Sequence, residues 1–330
     1  MMPSKPVALT CGEPAGVGLE LTLKAWQALR GESPFFLIAD ARHLAGLAPD
    51  VPIREIDDPG QAAAVFPHAL PVLAHPFPEA NPPGELRREN AQSVIDVIRR
   101  AVDLVKGGAA SAVCTNPINK KALKDGAGFA FPGHTEFLAH LAGPGTRSVM
   151  MLAAPALRVV PVTIHEPLEA VPALLTADLL SQTLTITHSA MRQLYGLRNP
   201  RLAVSGLNPH AGEGGAMGQT EITLIAPVLE RLRAQGMEIA GPLPADTMFH
   251  AQARRTYDVA LCMYHDQALI PIKTLDFHGG INITLGLPFA RTSPDHGTAL
   301  DIAGQGRANP SSLIAALREA AKFGRGGPRT

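Results

Sequence analysis

The sequence predicts an α/β fold with a parallel sheet, on three observations. Short apolar runs alternate with longer stretches of helical periodicity, which is the pattern of βαβ units. At 330 residues the chain allows about two domains. Apolar residues make up 46% and charged residues 18%, the composition of a folded chain with a sizeable core.

Residues 6–10 read as the first strand, followed by Gly12-Glu13-Pro14-Ala15-Gly16-Val17-Gly18 and an amphipathic helix through Leu29. The second strand covers residues 35–39. Between Glu89 and Val105, Val94, Ile98, Ala101, Val102 and Val105 recur at helical spacing, and Gly107-Gly108 ends the run. Residues 111–114 form a buried strand, and residues 152–164 hold two strands joined at Pro155. A long helix over 176–194 precedes a strand at 202–205 and a helix at 221–232. Strands at 259–263 and 281–285 lead to a last helix at 311–321, with a tail from Gly324 expected to fray. No internal repeat or low-complexity linker marks a domain boundary.

Several function classes are excluded at this level. Lys+Arg and Asp+Glu are each 29, so the chain offers no net field for nucleic acid or an anionic membrane. An aromatic fraction of 5% leaves little for base stacking. Cys11, Cys114 and Cys262 are far apart and form no CxxC pair, so neither a disulfide framework nor a thiolate zinc site is indicated. The N-terminal apolar stretch is too short for a signal sequence. Arg158 and two prolines break the most apolar later stretch, residues 148–164, so it does not span a bilayer. A cytoplasmic enzyme of small molecules is the expectation. The usual nucleotide motifs are missing too: Met217 stands where a GxGxxG would need its third glycine, and there is no GK dipeptide and no HExxH.

Polar residues follow the strands, and ligands of open α/β sheets sit beyond the carboxyl ends of strands. The run at 111–114 leads into Thr115-Asn116-Pro117-Ile118-Asn119-Lys120, and the run ending at Ile164 into His165-Glu166. Residues 202–205 lead to Asn208-Pro209-His210, and 259–263 to Tyr264-His265-Asp266-Gln267. His165, His210 and His265 would together suit a divalent metal. Their spacings of 45 and 55 residues are not those of a local zinc motif, so each also reads as a hydrogen-bonded core or capping histidine. Of the other histidines, His43, His68, His75, His140, His188, His250 and His278 read as surface or helix residues. A second constellation is cationic. Gly133-His134-Thr135-Glu136 opens a helix, and Lys273, Asn282 and Arg291 lie in or beside extended runs. Lys, Arg and a helix N-terminus are what a phosphate monoester needs, although any single cation also reads as solvated surface charge.

Ordered blocks along almost the whole chain carry a family resemblance: GEPAGVGLE, TNPINKKAL, FPGHTEFLA, LNPHAGEGG, GPLPADTMF, MYHDQ and GINITLGLPFARTSPDHGTALDIAGQG. The sequence resembles the 4-hydroxythreonine-4-phosphate dehydrogenase family of pyridoxal phosphate biosynthesis. The resemblance implies an isocitrate/isopropylmalate dehydrogenase-like fold: two α/β domains with a central cleft, and a mostly parallel sheet with some antiparallel strands. The expected domains are 1–130 plus 286–330, with the nucleotide-binding loop, and 131–285, with the metal and substrate site and the dimer interface. By the same resemblance His165, His210 and His265 hold one divalent metal (zinc, cobalt or magnesium), the third from the partner subunit of a homodimer. His134, Thr135, Lys273, Asn282 and Arg291 bind the phosphorylated substrate. His296 and Asp301 lie at the nicotinamide dinucleotide, with NAD favoured because a carboxylate repels a 2′-phosphate and NADP as the alternative.

The implied reaction oxidises 4-phosphooxy-L-threonine at C3 and decarboxylates the product to 3-amino-2-oxopropyl phosphate, with Asp246 and Asp266 as candidates for proton handling or ligand orientation. For Asp246 a helix cap is an equal reading. The sequence departs from the family pattern at Glu13, Leu19, Ala268 and Cys114-Thr115-Asn116-Pro117, none of them a metal or phosphate position. Alternatives are a dehydrogenase of a phosphorylated threonate or erythronate, a metal-independent acyl or phosphate transferase of related fold, and a metal-dependent hydrolase.

Overall fold

The computed structural model describes residues 5–326. They divide into two compact units, residues 5–147 with 287–326, and residues 148–286.

The first unit contains β1 (Val7–Thr10), β2 (Phe35–Ala39), β3 (Ile53–Ile56), β4 (Leu70–Ala74), β5 (Val113–Thr115) and, after the second unit, β12 (Arg291–Pro294). They lie in the order β3-β4-β2-β1-β5-β12. All the pairings are parallel. Every residue of β1, β2 and β5 is buried, as expected of strands covered on both faces. The helix Ala91–Lys106 shows how the covering works. Ala91, Val94, Ile95, Val97, Ile98, Ala101, Val102 and Val105 form its buried stripe, while Arg99 and Asp103 face water.

The second unit contains β6 (Val149–Ala154), β7 (Leu157–Pro161), β8 (Arg201–Ser205), β9 (Glu238–Leu243), β10 (Val259–Cys262) and β11 (Ile281–Leu285), in the order β11-β6-β7-β10-β8-β9. The β11–β6 and β6–β7 pairs are antiparallel, the remaining pairs parallel. Leu152, Val159, Ala203, Ala260, Cys262 and Ile272 meet in its core.

The α/β class and the mixed sheet are therefore as expected, and most expected elements are present within a few residues. Three differences bear on the site. The strand expected to end at Ile164 ends at Pro161, with Val162 and Thr163 continuing backbone bonds to Cys262 and Met263. Lys273, expected in or beside an extended run, lies in the last turn of the helix His265–Leu275. The helix expected at 221–232 begins with a π-helical turn, Glu221–Ile225, before the α-helix Ala226–Ala234. The last helix runs on to Gly326, and the rest of the tail expected to fray lies outside the described residues. All three cysteines are buried, and burial pushes the Cys114 thiol up to about 12 and those of Cys11 and Cys262 higher still. They are inert thiols.

Candidate functional site

In the first unit Gly133 precedes the helix His134–Ala142, whose first backbone N–H groups and dipole favour an anion. His134 opens that helix with Thr135 beside it. His134 Nε2 is enclosed and has no hydrogen-bond partner among the described residues. Burial, then the charges of Arg291 and Lys120, hold its imidazole well below the ordinary histidine range, so it is neutral at pH 7. Lys120 starts the helix Lys120–Ala127, where the side chain of Asn119 accepts from Ala122 N at 3.0 Å. A Cβ on Gly133 would meet Lys120 Nζ at 3.8 Å. Arg291, the first residue of β12, is 3% exposed and donates to Thr115 Oγ1 at 2.6 Å. Burial lowers its guanidinium to about 10, against the opposing pull of Cys114 and Glu136, so it stays charged at neutral pH. A buried fork-shaped cation, a second cation and a neutral imidazole around a helix N-terminus suit a phosphate monoester.

The same unit carries the loop of residues 296–308. His296 Nδ1 donates to Gly297 O at 3.0 Å, and Asp301 stands exposed in the turn Leu300–Ile302. Val17 N donates to Thr298 O at 2.9 Å, and a Cβ on Gly16 would meet that oxygen at 2.8 Å, so the close approach requires glycine there. Glu20, 4% exposed, accepts from Gly304 N at 2.8 Å and Ala308 N at 3.3 Å. Lys24 Nζ donates to the carbonyls of Gly306 and Ala308 at 2.8 and 2.7 Å. The first helix, Gly18–Leu29, thus holds the loop from below, and the exposed Asp301 suits a ribose hydroxyl.

In the second unit Thr163 ties the segment after β7 to the segment after β10: its backbone N–H and its hydroxyl both donate to Met263 O, at 3.2 and 2.8 Å. Two residues beyond each partner, the rings of His165 and His265 lie with centroids 5.5 Å apart. Two imidazoles sharing one ion at about 2.1 Å each would have centroids within roughly 6 Å, so the pair fits a shared divalent metal. Asp266 Oδ1 accepts from His265 Nδ1 at 2.7 Å, which leaves the Nε2 lone pair for a ligand. Gln267 then links this helix to the end of β8. Its Oε1 accepts from Ser205 Oγ and Met263 N, both at 2.7 Å, and its Nε2 donates to Gly206 O at 2.8 Å. His210 follows β8 in an exposed turn and does not join the other two: among the described residues no three His, Cys, Asp or Glu side chains meet to hold a metal. Asp246 is exposed in the short turn Ala245–Thr247, which packs beside the His210 turn. Asn282 pairs with Leu152 in β11 and keeps a buried Oδ1 without a partner among the described residues. Lys273 Nζ lies 5.3 Å from the Phe277 ring.

Backbone strain marks the same segments. Among the described residues, the non-glycine residues with positive φ are His165 (56°), His210 (51°), Ala211 (51°), Glu213 (42°) and Ala299 (43°). Each costs on the order of 1–2 kcal/mol, and such residues persist where surrounding structure over-determines them, typically at functional sites. Sequence reading missed Glu20, Lys24 and Glu221, which hold two of these segments, and it named Lys120 and Gln267 only as part of the polar runs after strands. A Glu or Lys in the first turns of a helix reads as solvated, and only three-dimensional packing reveals a carboxylate sealed against a distant loop.

The chain is similar to known proteins over nearly its whole length. The family model of the pyridoxal phosphate biosynthetic protein PdxA matches residues 32–320. The 4-hydroxythreonine-4-phosphate dehydrogenase of Roseobacter denitrificans is 58% identical over 316 residues, 96% of each chain. That of Paracoccus denitrificans is 59% identical over 325 residues, 97% of this chain and 98% of the relative. The crystal structure of the 4-hydroxythreonine-4-phosphate dehydrogenase of Klebsiella pneumoniae matches with a TM-score of 0.88 at 37% identity, covering 98% of this chain and all of that one.

Proposed function

The chain belongs to the PdxA family of pyridoxal phosphate biosynthetic proteins, and from that premise we propose that it is an NAD-dependent, metal-dependent 4-hydroxythreonine-4-phosphate dehydrogenase. The reaction converts 4-phosphooxy-L-threonine and NAD+ into 3-amino-2-oxopropyl phosphate, carbon dioxide and NADH. Hydride leaves C3, and the proton released from the C3 hydroxyl balances the proton taken up when the β-keto acid loses carbon dioxide.

The observation that carries this reading is the cradle of Arg291, His134 and Lys120 at a helix N-terminus, a cationic, partly enclosed place for a phosphate dianion. Arg291 binds phosphate oxygens through its fork, His134 donates from a neutral ring, and the N–H groups around Thr135 complete the cradle. In the second unit Lys273 and Asn282 supply a further cation and amide to the substrate. His165, His210 and His265 would hold the divalent metal, and three imidazoles suit zinc or cobalt, with magnesium admitted by added water ligands. When bound, the metal supplies Lewis-acid stabilisation of negative charge on substrate oxygen, and the nicotinamide supplies a hydride acceptor. Asp266 keeps the His265 ring in one tautomer, and Asp246 is available for proton transfer. Asp301 accepts from a ribose hydroxyl and disfavours NADP.

The test is NADH formation from 4-phosphooxy-L-threonine by chelator-treated protein, with and without zinc, cobalt or magnesium. Turnover restored by metal is the expected result. Absence of turnover in folded, metal-loaded protein would sink this substrate, and turnover of phosphothreonate or phosphoerythronate would replace it, since both present the same phosphate. A hydrolase or transferase would turn over without any dependence on added NAD+.

A further inference from the structure

Residues 210–214 form a continuous left-handed turn: His210, Ala211, Gly212, Glu213 and Gly214 all have φ between 42° and 81°. Ala and Glu have no intrinsic preference for this conformation, and successive non-glycine residues rarely hold it. Something outside the turn therefore imposes it.

The group in position to do so is Glu221, 3% exposed, the first residue of the π-helical turn. Its Oε1 accepts from Leu207 N and Asn208 N, both at 2.8 Å, and its Oε2 from Asn208 Nδ2 at 3.0 Å. The carboxylate also fills the space in front of two glycines. A Cβ on Gly206 would meet Oε1 at 3.0 Å, and one on Gly212 would meet Oε2 at 2.7 Å. The carboxylate thus sits inside the loop, bonded to the chain just before His210 and packed against the chain just after it. Met217 N closes the far side on Gly212 O at 3.1 Å.

We propose that Glu221 is a positioning residue for His210: its carboxylate holds the left-handed turn and so fixes where the imidazole is presented to the metal. This rests on the reading of His210 as a ligand. A π-helical turn at the start of this helix fits the role, since such turns occur often where a functional side chain must be re-aimed. A carboxylate that only satisfied buried N–H groups would affect stability alone, whereas a positioning carboxylate affects metal affinity through His210.

Cobalt(II) titration of the full chelator-treated chain, followed by visible absorption and calorimetry, separates the two. In Glu221→Ala the cobalt affinity should fall about 10- to 100-fold, as for other residues that orient ligands. NADH affinity should be unchanged, and Glu221→Gln, which can still accept the two backbone N–H bonds, should recover most of the loss. The double variant with His210→Ala should bind cobalt no more weakly than His210→Ala alone, because both changes remove the same interaction. Wild-type affinity in Glu221→Ala, or a further fall in the double variant, overturns the proposal. Should Glu221→Ala not fold, Glu221→Asp decides: the shorter side chain draws the carboxylate back from Leu207 N and Asn208 N, so weakened cobalt binding supports the proposal and wild-type binding overturns it. If the unaltered chain binds no cobalt, the ligand reading of His210 fails and the proposal with it. If it binds cobalt and Glu221→Ala binds equally well, the proposal fails alone.

Discussion

Arg291 and His134 show how single residues set the chemistry of the cradle. The Arg291 guanidinium is buried and hydrogen-bonded to Thr115, yet charged at neutral pH. A buried cation that fits a phosphate through two parallel N–H groups is not replaceable by a compact ammonium. Arg291→Lys is expected to lower kcat/KM for the phosphorylated substrate about 100-fold, chiefly through KM, in steady-state NADH assays. His134 makes a pH prediction. Its folded pKa lies below its unfolded value, so between the two the unfolded chain binds more protons and stability rises with pH. Stability is therefore lost as pH falls from about 6.5 towards the folded pKa. His43, His75 and His188, also lowered chiefly by burial, act in the same direction. Melting curves between pH 7.5 and 5.5 should show a shallower fall in Tm for His134→Gln than for the unaltered protein, and equal slopes would contradict a neutral His134.

At the scale of elements, the helix Gly18–Leu29 does two things at once. Its apolar face, with Leu19, Leu23, Trp26 and Leu29, packs into the first unit, and its first turns reach the loop of residues 296–308 through Glu20 and Lys24. Leu19, one of the departures from the family pattern, is fully buried in this packing, so the departure touches the core and leaves the loop contacts alone. Glu20→Ala leaves two loop N–H groups without their acceptor. NADH affinity measured by fluorescence is expected to fall about tenfold while cobalt affinity stays unchanged, and Glu20→Gln should lose less. Sequence reading passed over β4, a buried apolar run, but other elements it did not find have physical reasons for being hidden. β3 and β9 end their sheet orders and show mixed exposure, so neither carries a buried apolar run. β12 is wholly buried but reads Arg-Thr-Ser-Pro, its polar groups satisfied by distant partners such as Ala316 O, which accepts from Thr292 Oγ1 at 2.8 Å.

For the molecule as a whole, exposed apolar side chains concentrate in the second unit. Leu168, Ile222, Ile270 and Phe277 are 67%, 50%, 63% and 69% exposed, whereas Ile53 and Leu86 in the first unit reach 36% and 39%. The homodimer expected from the sequence would bury groups of this kind, which makes them the residues to alter. Ile270→Glu with Phe277→Glu is expected to shift the protein towards monomer in sedimentation velocity. If the ligand set is shared between subunits, mixing inactive His210→Ala and His265→Ala proteins should restore activity, up to about a quarter under random pairing. No restoration would contradict a ligand set shared between subunits. No described helix is long and apolar enough to cross a membrane.

The sequence by itself determined the α/β class, most of the buried strands though not β4 or β12, and the helix opening at His134, because periodicity, continuous apolar runs and helix-start residues are local signals. It also indicated His165, His210 and His265, since polar residues following an apolar run stand out along the chain. Only the tertiary structure decided that His165 and His265 face each other and that His210 lies in a left-handed turn. Only packing revealed Arg291 as a buried cation and Glu20 and Glu221 as sealed carboxylates. The reason is the same in each case. Burial, backbone strain and the satisfaction of a charged group depend on atoms far away in sequence, and an exposed glutamate and a buried one are written with the same letter.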